Sequence, residues 1–220
     1  MSGWGAFLGD VQEQMPLILA GLLQSVELTV SVSVTGLLLG IVVFYFSLSP
    51  RVWVRRFTQG YISFFVGMPL IVLLFLMYYG LPQWGVILAP FSVALIGFTF
   101  NVAAYNAAYM TTAYNGQDGS ELEAARAQGF SRFQIFRFVS LPQVLRLSIP
   151  ALTNQVICNL KDSSVAFLIQ YTEFFARVQE LAASNFQFFK AYLFAAIVYL
   201  ALVTLIILAA RFIERLWVIP

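Results

Sequence analysis

Between Arg56 and Asp118 the chain carries no charged residue at all, an interval of 61 positions from 57 to 117. At roughly 20 residues per crossing, that is enough sequence for three passages through a bilayer, although Pro82 and Pro90 divide it into two usable ones. A soluble fold of 220 residues cannot hide such a run. Soluble domains average about 25% charged residues, whereas this chain has 10%, with 60% of its residues hydrophobic.

The expectation is therefore an all-α polytopic membrane protein, a single transmembrane domain over residues 1–220. Five helical spans fit at about 21–46, 57–80, 91–112, 147–169 and 191–210, each long enough at 1.5 Å per residue for a layer roughly 30 Å thick. From Val26 to Thr35 apolar and polar residues alternate, which alone reads as a strand and raises the thought of an outer-membrane barrel. Leu37 to Phe46 is apolar except for Gly40 and carries no turn signal, so one helix is the simpler account. Ser25, Thr29, Gly36 and Gly40 then offer small surfaces for close helix packing. The first sixteen residues hold Asp10 and Glu13 but no Lys or Arg, which predicts no cleavable leader. Trp4, Phe7 and Leu8 instead suggest an interfacial helix at the headgroup boundary.

Charge bias predicts orientation. Arg51, Arg55 and Arg56 follow the first span, Arg126, Arg132, Arg137 and Arg146 the third, and Arg211 and Arg215 the fifth, nine of twelve basic residues on one side. Arg177 and Lys190 fall on the other side, and Lys161 within the fourth span. By the positive-inside rule the N-terminus is outside, the C-terminus is in the cytoplasm, and the loop at 113–146 is cytoplasmic. A net charge of +2 gives no reason to expect nucleic acid.

That loop is a basic, helix-forming island. Ser120 or Asp118 is placed to cap a helix with Glu121 and Glu123 in its first turn, Gly129 to end it in a left-handed turn, and Ser131 to cap a second helix bearing Phe133, Phe136 and Phe138. Two short helices at an angle would form a compact knob, with Ala124 and Ala125 permitting close approach to a partner. A basic loop of this kind also suits anionic membrane lipid. Glu123, Ala124, Ala125, Gly129, Leu141 and Pro142 fall in the register EAA, three residues, Gly, nine residues, Ile, one residue, Leu-Pro, with Val139 in the Ile position. This resembles the EAA loop of ABC-importer membrane subunits. The resemblance implies a type I ABC importer fold with a coupling loop, at Glu123, Ala124, Ala125, Arg126, Gly129, Leu141 and Pro142, on which a separate ATPase docks.

The chain has no GxxxxGK[ST] phosphate loop, since neither Lys161 nor Lys190 follows the required glycines. With no histidine and one cysteine, Cys158, it also lacks the usual general bases, thiolate chemistry and zinc ligands, so no catalysis and no bound cofactor are expected here. ATP and Mg²⁺ would belong to the partner ATPase.

The resemblance continues along the chain toward permeases for polar amino acids of the histidine, glutamine, arginine and cystine type. Val66-Gly67-Met68-Pro69, Tyr78-Tyr79-Gly80-Leu81-Pro82, Ala104-Tyr105-Asn106-Ala107, Gly116-Gln117 and Leu160-Lys161-Asp162-Ser163-Ser164 carry it. Ala108, Thr111 and Thr112 stand where that branch has Glu, Arg and Gly, so a Glu and an Arg are dropped together, both halves of an ion pair if they form one in relatives. The resemblance implies inward transport of a polar L-amino acid across a bacterial inner membrane by alternating access. Its partners would be an ATPase dimer, a second permease subunit, identical or more readily unlike, and an external amino-acid-binding protein.

The fourth span carries a polar wedge. Gln155, Asn159 and Asp162 share one helical face, and Asn154, Cys158 and Lys161 the neighbouring one. The residues expected to line a substrate pathway are these polar ones with Tyr105, Asn101, Met68 and Pro69, charged residues at membrane depth being costly unless paired or hydrated. An ion-coupled carrier using Lys161, Asp162 and Glu27, and a non-transporting membrane scaffold, are the competing readings.

Overall fold

A computed structural model of the chain describes residues 3–117 and 119–217, the side chains of 213–217 excepted. Asp118 and the side chain of Arg215 thus lie outside the described residues. The elements are α1 (Trp4–Glu13), α2 (Met15–Ser47), α3 (Val52–Gly67), α4 (Leu70–Phe75), α5 (Pro90–Asn115), α6 (Ser120–Ala127), α7 (Arg132–Gln134), α8 (Leu141–Asp162), α9 (Phe174–Asn185) and α10 (Phe188–Trp217). Met15–Ser47, Pro90–Asn115, Arg132–Ile169 and Phe188–Phe212 are each long and apolar enough to cross a bilayer, and the pair Val52–Gly67 with Leu70–Trp84 makes a fifth, bent by 98°. The all-α, five-span architecture is the one expected.

α2 is the axis of the bundle. Its alternating hydroxyls do not make a strand, because they bond back to their own helix: Thr29 Oγ1 donates to the Ser25 carbonyl (2.7 Å) and Thr35 Oγ1 to that of Ser31 (2.8 Å). α5 lies parallel to it at a fixed offset. The Thr35 and Thr99 hydroxyls are 2.6 Å apart, and Ser47 lies 3.4 Å from Thr111, also 64 positions on. Gly36 and Gly40 make this approach possible, since a Cβ at Gly36 would sit 2.6 Å from Val102 Cγ1 and one at Gly40 2.9 Å from Asn106 Cβ. This is small-residue packing of the membrane type.

Three apolar clusters are stacked along α2. Ile18 joins Phe7, Val11, Phe174, Val178 and Leu181 at one end, Leu28 and Val32 join Leu74, Phe98 and Val102 in the middle, and Phe44 joins Met110, Phe136 and Val144 at the end nearest α6. The leading helix α1 differs in part from the surface element expected. Trp4 and Leu8 are exposed, but Phe7 is buried against α9.

The second span is not the continuous helix the sequence suggested. Pro69 has no N–H to offer the carbonyl of Phe65, so α3 stops at Gly67 and the chain turns before α4, which runs on as one wide turn, Leu76–Gly80, and one tight turn, Leu81–Trp84. α9, between the fourth and fifth spans, was not expected. At 12 residues, with Arg177 and Glu180 among them, it is too short and too polar to read as a crossing.

Candidate functional site

The loop forms a knob closed by backbone hydrogen bonds. At the end of α6 Gly129 adopts φ 80°, the Phe130 N–H donates to the Ala125 carbonyl (3.2 Å), and the Gly129 N–H donates to that of Arg126 (3.0 Å). This pair of bonds is the Schellman arrangement, and it asks for glycine at the left-handed position. Ser131 then starts the next helix with a reciprocal cap: its N–H donates to Gln134 Oε1 (2.8 Å) and its Oγ accepts from the Gln134 N–H (3.4 Å).

Three expectations for the loop need correcting. The N-cap position of α6 is Gly119, and Ser120 is the first helical residue. The second short helix is the leading end of the fourth span, because α7 runs through a wide-turned segment, Ile135–Ser140, into α8 without a break. Pro142, which cannot donate to the Phe138 carbonyl, accounts for that change of winding. Ala125 turns inward and is buried, so it serves the knob's packing, while Glu123, Ala124, Arg126 and Gly129 are exposed on its outside.

The knob is fastened to the bundle. Phe136 packs with its ring centre 4.8 Å from Tyr45 and 5.7 Å from Phe44, both on α2. Leu141 and Pro142 sit half-buried at its base. Gln143 of α8 donates to Glu121 and accepts from Gln117 Nε2 (3.0 Å), tying α6 to the fourth span.

The polar wedge separates into two faces. Gln155 and Asn159, 7% and 2% exposed, bond to one another (3.0 Å), and the chain of hydrogen bonds continues from Asn159 Nδ2 to Ser33 Oγ (3.0 Å) and from Tyr109 to Gln155 Oε1 (3.4 Å). Their hydrogen-bonding capacity goes largely to helix packing, so they form a seam across α2, α5 and α8. Asn154, Lys161 and Asp162 are exposed on the surface of α8, with Cys158 half-buried beside them.

Asn101 and Tyr105, expected along the pathway, bond in this structure to the backbone of α3. Asn101 Nδ2 donates to the Phe65 carbonyl (2.8 Å), the group that Pro69 leaves without a donor, and the Tyr105 hydroxyl donates to Val66 O (3.4 Å). In return, the Tyr61 hydroxyl donates to the Phe100 carbonyl (2.7 Å). These side chains close the break beside Met68 and Pro69. The Thr111 and Thr112 hydroxyls donate to the carbonyls of Ala107 and Ala108 (2.7 and 3.1 Å).

Sequence reasoning missed Glu173. Its carboxylate is 0% exposed at the N-cap of α9 and accepts from Ser25 Oγ (2.9 Å), the Phe175 and Ala176 N–H groups (2.9 and 2.8 Å) and, more loosely, the Tyr199 hydroxyl (3.4 Å). Burial pushes its pKa up from the ordinary carboxylate value, and these hydrogen bonds oppose the shift. The available signal was an acid directly before a helix-forming run, obscured because Glu is not a favoured cap.

Residues 33–218 match the family model described as "Binding-protein-dependent transport system inner membrane component". The chain is 37% identical over 197 residues to the probable amino-acid ABC transporter permease protein PatM of Vibrio harveyi, covering 88% of each. It is 32% identical over 205 residues to the L-cystine transport system permease protein TcyB of Bacillus subtilis (strain 168), covering 93% of this chain and 88% of the relative. Its fold matches the crystal structure of an amino acid ABC transporter with histidines at a TM-score of 0.85 and 27% identity, over 95% of this chain and 97% of the other. The MetNI methionine ABC transporter, at 20% identity and TM-score 0.78 over 94% and 99%, shares the fold. The chain belongs to the binding-protein-dependent transport system inner membrane components, as a non-enzymatic permease of the amino-acid ABC transporter type.

Proposed function

We propose that this chain carries a polar L-amino acid inward by alternating access, powered by an ATPase dimer that seats on the exposed side of the knob, Glu123, Ala124, Arg126 and Gly129. The supporting observation is mechanical. α7 runs without interruption into α8 and Gln143 ties α6 to it, so a push on α6 reaches α8 and the seam at Gln155 and Asn159. ATP and Mg²⁺ are held by the ATPase. A second permease, identical or unlike, completes the path, and an external binding protein delivers substrate. The N-terminus lies outside and the knob and C-terminus lie in the cytoplasm, as the charge bias favours.

Gly129→Asp tests the docking. Among the described residues nothing but its chain neighbours lies within 4 Å of where a Cβ would be, but φ 80° disfavours any side chain, so the change distorts the knob's edge and spares the bundle. In the assembled complex uptake should fall at least about tenfold, the effect of some 1.4 kcal/mol of lost coupling. Full uptake, or no P-loop ATPase copurifying with the chain, sinks the docking reading.

Lys161, exposed with Asn154 and Asp162 on the surface of α8, is the cationic member of the wedge left open to substrate or to a facing subunit. Lys161→Ala should reduce substrate stimulation of ATP hydrolysis while leaving basal hydrolysis intact. An unaltered substrate response removes Lys161 from the pathway.

A further inference from the structure

We propose that a cavity beside the knob binds a phosphate-bearing anion, the headgroup of an anionic phospholipid or a free phosphate. The cavity has a volume of about 720 Å³ and opens between the end of α2, the link into α3, and the α6–α7 corner. Three guanidinium side chains line it: Arg51 from the residue before α3, Arg126 from the last turn of α6 and Arg132 from the first residue of α7. Among the described residues no Asp or Glu is in the lining.

Among the described residues none of these three arginines makes an ion pair. Three like charges gathered around one concavity repel each other, and an anion bound among them removes that repulsion. The planar fork of guanidinium matches phosphate oxygens in pairs, more specifically than an ammonium would. The Ser49 and Tyr114 side chains add hydroxyls to the wall.

The rest of the wall favours the lipid source. Tyr45, Phe46, Phe130 and Phe136 give it an aromatic side, and the volume falls in the range of sites that enclose an organic ligand rather than a bare ion. The cavity lies where the 33-residue apolar helix α2 ends, the level at which headgroups would surround the chain. Next to it, Val52, Trp53 and Phe57 are exposed along α3, an apolar surface over which acyl chains can continue. Because Arg126 and Phe130 belong to the knob, an occupant braces it against α2. Only this bracing role rests on the docking reading; the site itself does not.

The test uses the full chain, purified in detergent with its co-expressed subunits. Native mass spectrometry counts retained phosphatidylglycerol against phosphatidylcholine, and calorimetry follows titration with inorganic phosphate. One phosphatidylglycerol should be retained per chain in preference to phosphatidylcholine, with retention falling about tenfold for each of Arg51→Gln and Arg132→Gln. Both side chains are exposed, so an unchanged melting temperature should certify the fold of the variants. Arg55→Gln, exposed but outside the cavity lining, should leave retention unaltered.

Displacement of the lipid by millimolar phosphate, with the same dependence on Arg51 and Arg132, supports the site and makes free phosphate its occupant. Failure of phosphate to compete while lipid retention follows the two arginines supports it with lipid as occupant. Equal retention of phosphatidylcholine, or a loss with Arg55→Gln as large as with the cavity variants, overturns it. Unchanged lipid retention in the cavity variants also overturns it, and, if ATPase copurification weakens at the same time, assigns the guanidiniums to a protein partner.

Discussion

A chain carrying Gly36→Val should melt several degrees below the parent in detergent, and adding Gly40→Val should lower it further. At Gly36 the new Cβ alone would meet Val102 at 2.6 Å (Cγ1) and 2.9 Å (Cβ), and at Gly40 it would meet Asn106 Cβ at 2.9 Å and the Ala103 carbonyl oxygen at 3.2 Å. Val102 is branched at the contact and the Ala103 carbonyl is backbone, so neither can swing aside. The parallel helices α2 and α5 must separate, undoing the 2.6 Å contact of Thr35 with Thr99. Overpacking of this kind costs about 1–3 kcal/mol per site, and each kcal/mol lowers the melting temperature of a domain this size by roughly 2–4 °C. Gly60→Ala is the contrasting case. Beyond its own helix backbone no described residue comes within 4 Å of a Cβ there, so it should leave stability equal or slightly raised. If Gly36→Val melts with the parent, the close contact of α2 and α5 does not govern stability.

Glu173→Ala should be the most damaging single change at the other end of the bundle. It leaves the Ser25 hydroxyl and two α9 N–H groups without their acceptor in a buried setting, and loosens Tyr199. Each stranded donor costs about 1–3 kcal/mol, so the variant should lose roughly 3 kcal/mol or more and release α9 from α2. Glu173→Gln keeps one oxygen acceptor and should lose less.

The carboxyl also predicts a pH dependence. Its pKa in the folded chain is raised above the ordinary value of 4.5, so the folded state holds the proton more tightly than the unfolded one. Its contribution is therefore fully present below the unfolded pKa and is lost as pH rises through the folded pKa. The melting temperature of the parent should fall across that interval relative to Glu173→Gln, in which this component is absent. Parallel melting curves over the interval would mean that Glu173 has an ordinary pKa.

The spans and the loop's punctuation were legible because each rests on local chemistry. Charge-free length gave the crossings, and Gly129 and Ser131 gave the two turns of the knob, since a left-handed position and a cap each demand a particular residue type. The inward turn of Ala125 was not legible. In EAA the two alanines are chemically identical, and only the packing of α6 on its neighbours decides which is covered. The wedge was read correctly as polar and helical, but periodicity cannot say what a polar face meets, and Gln155 and Asn159 meet Tyr109 and Ser33, 46 and 126 positions away. Glu173 was invisible for the same reason. Its partner Ser25 lies 148 positions earlier, so nothing in its own neighbourhood marks it as buried.

The 98° corner in the second span has a mechanical consequence. Asn101 and Tyr105 of α5 hold the carbonyls that the corner exposes, and Tyr61 of α3 holds one of α5 in exchange. Straightening or opening the corner would strand those groups where water is scarce, at about 1–3 kcal/mol each. The bend is therefore an elbow set in plaster rather than a hinge. In any large motion the second and third spans would therefore move as one bracket, with the give supplied by joints on either side of it.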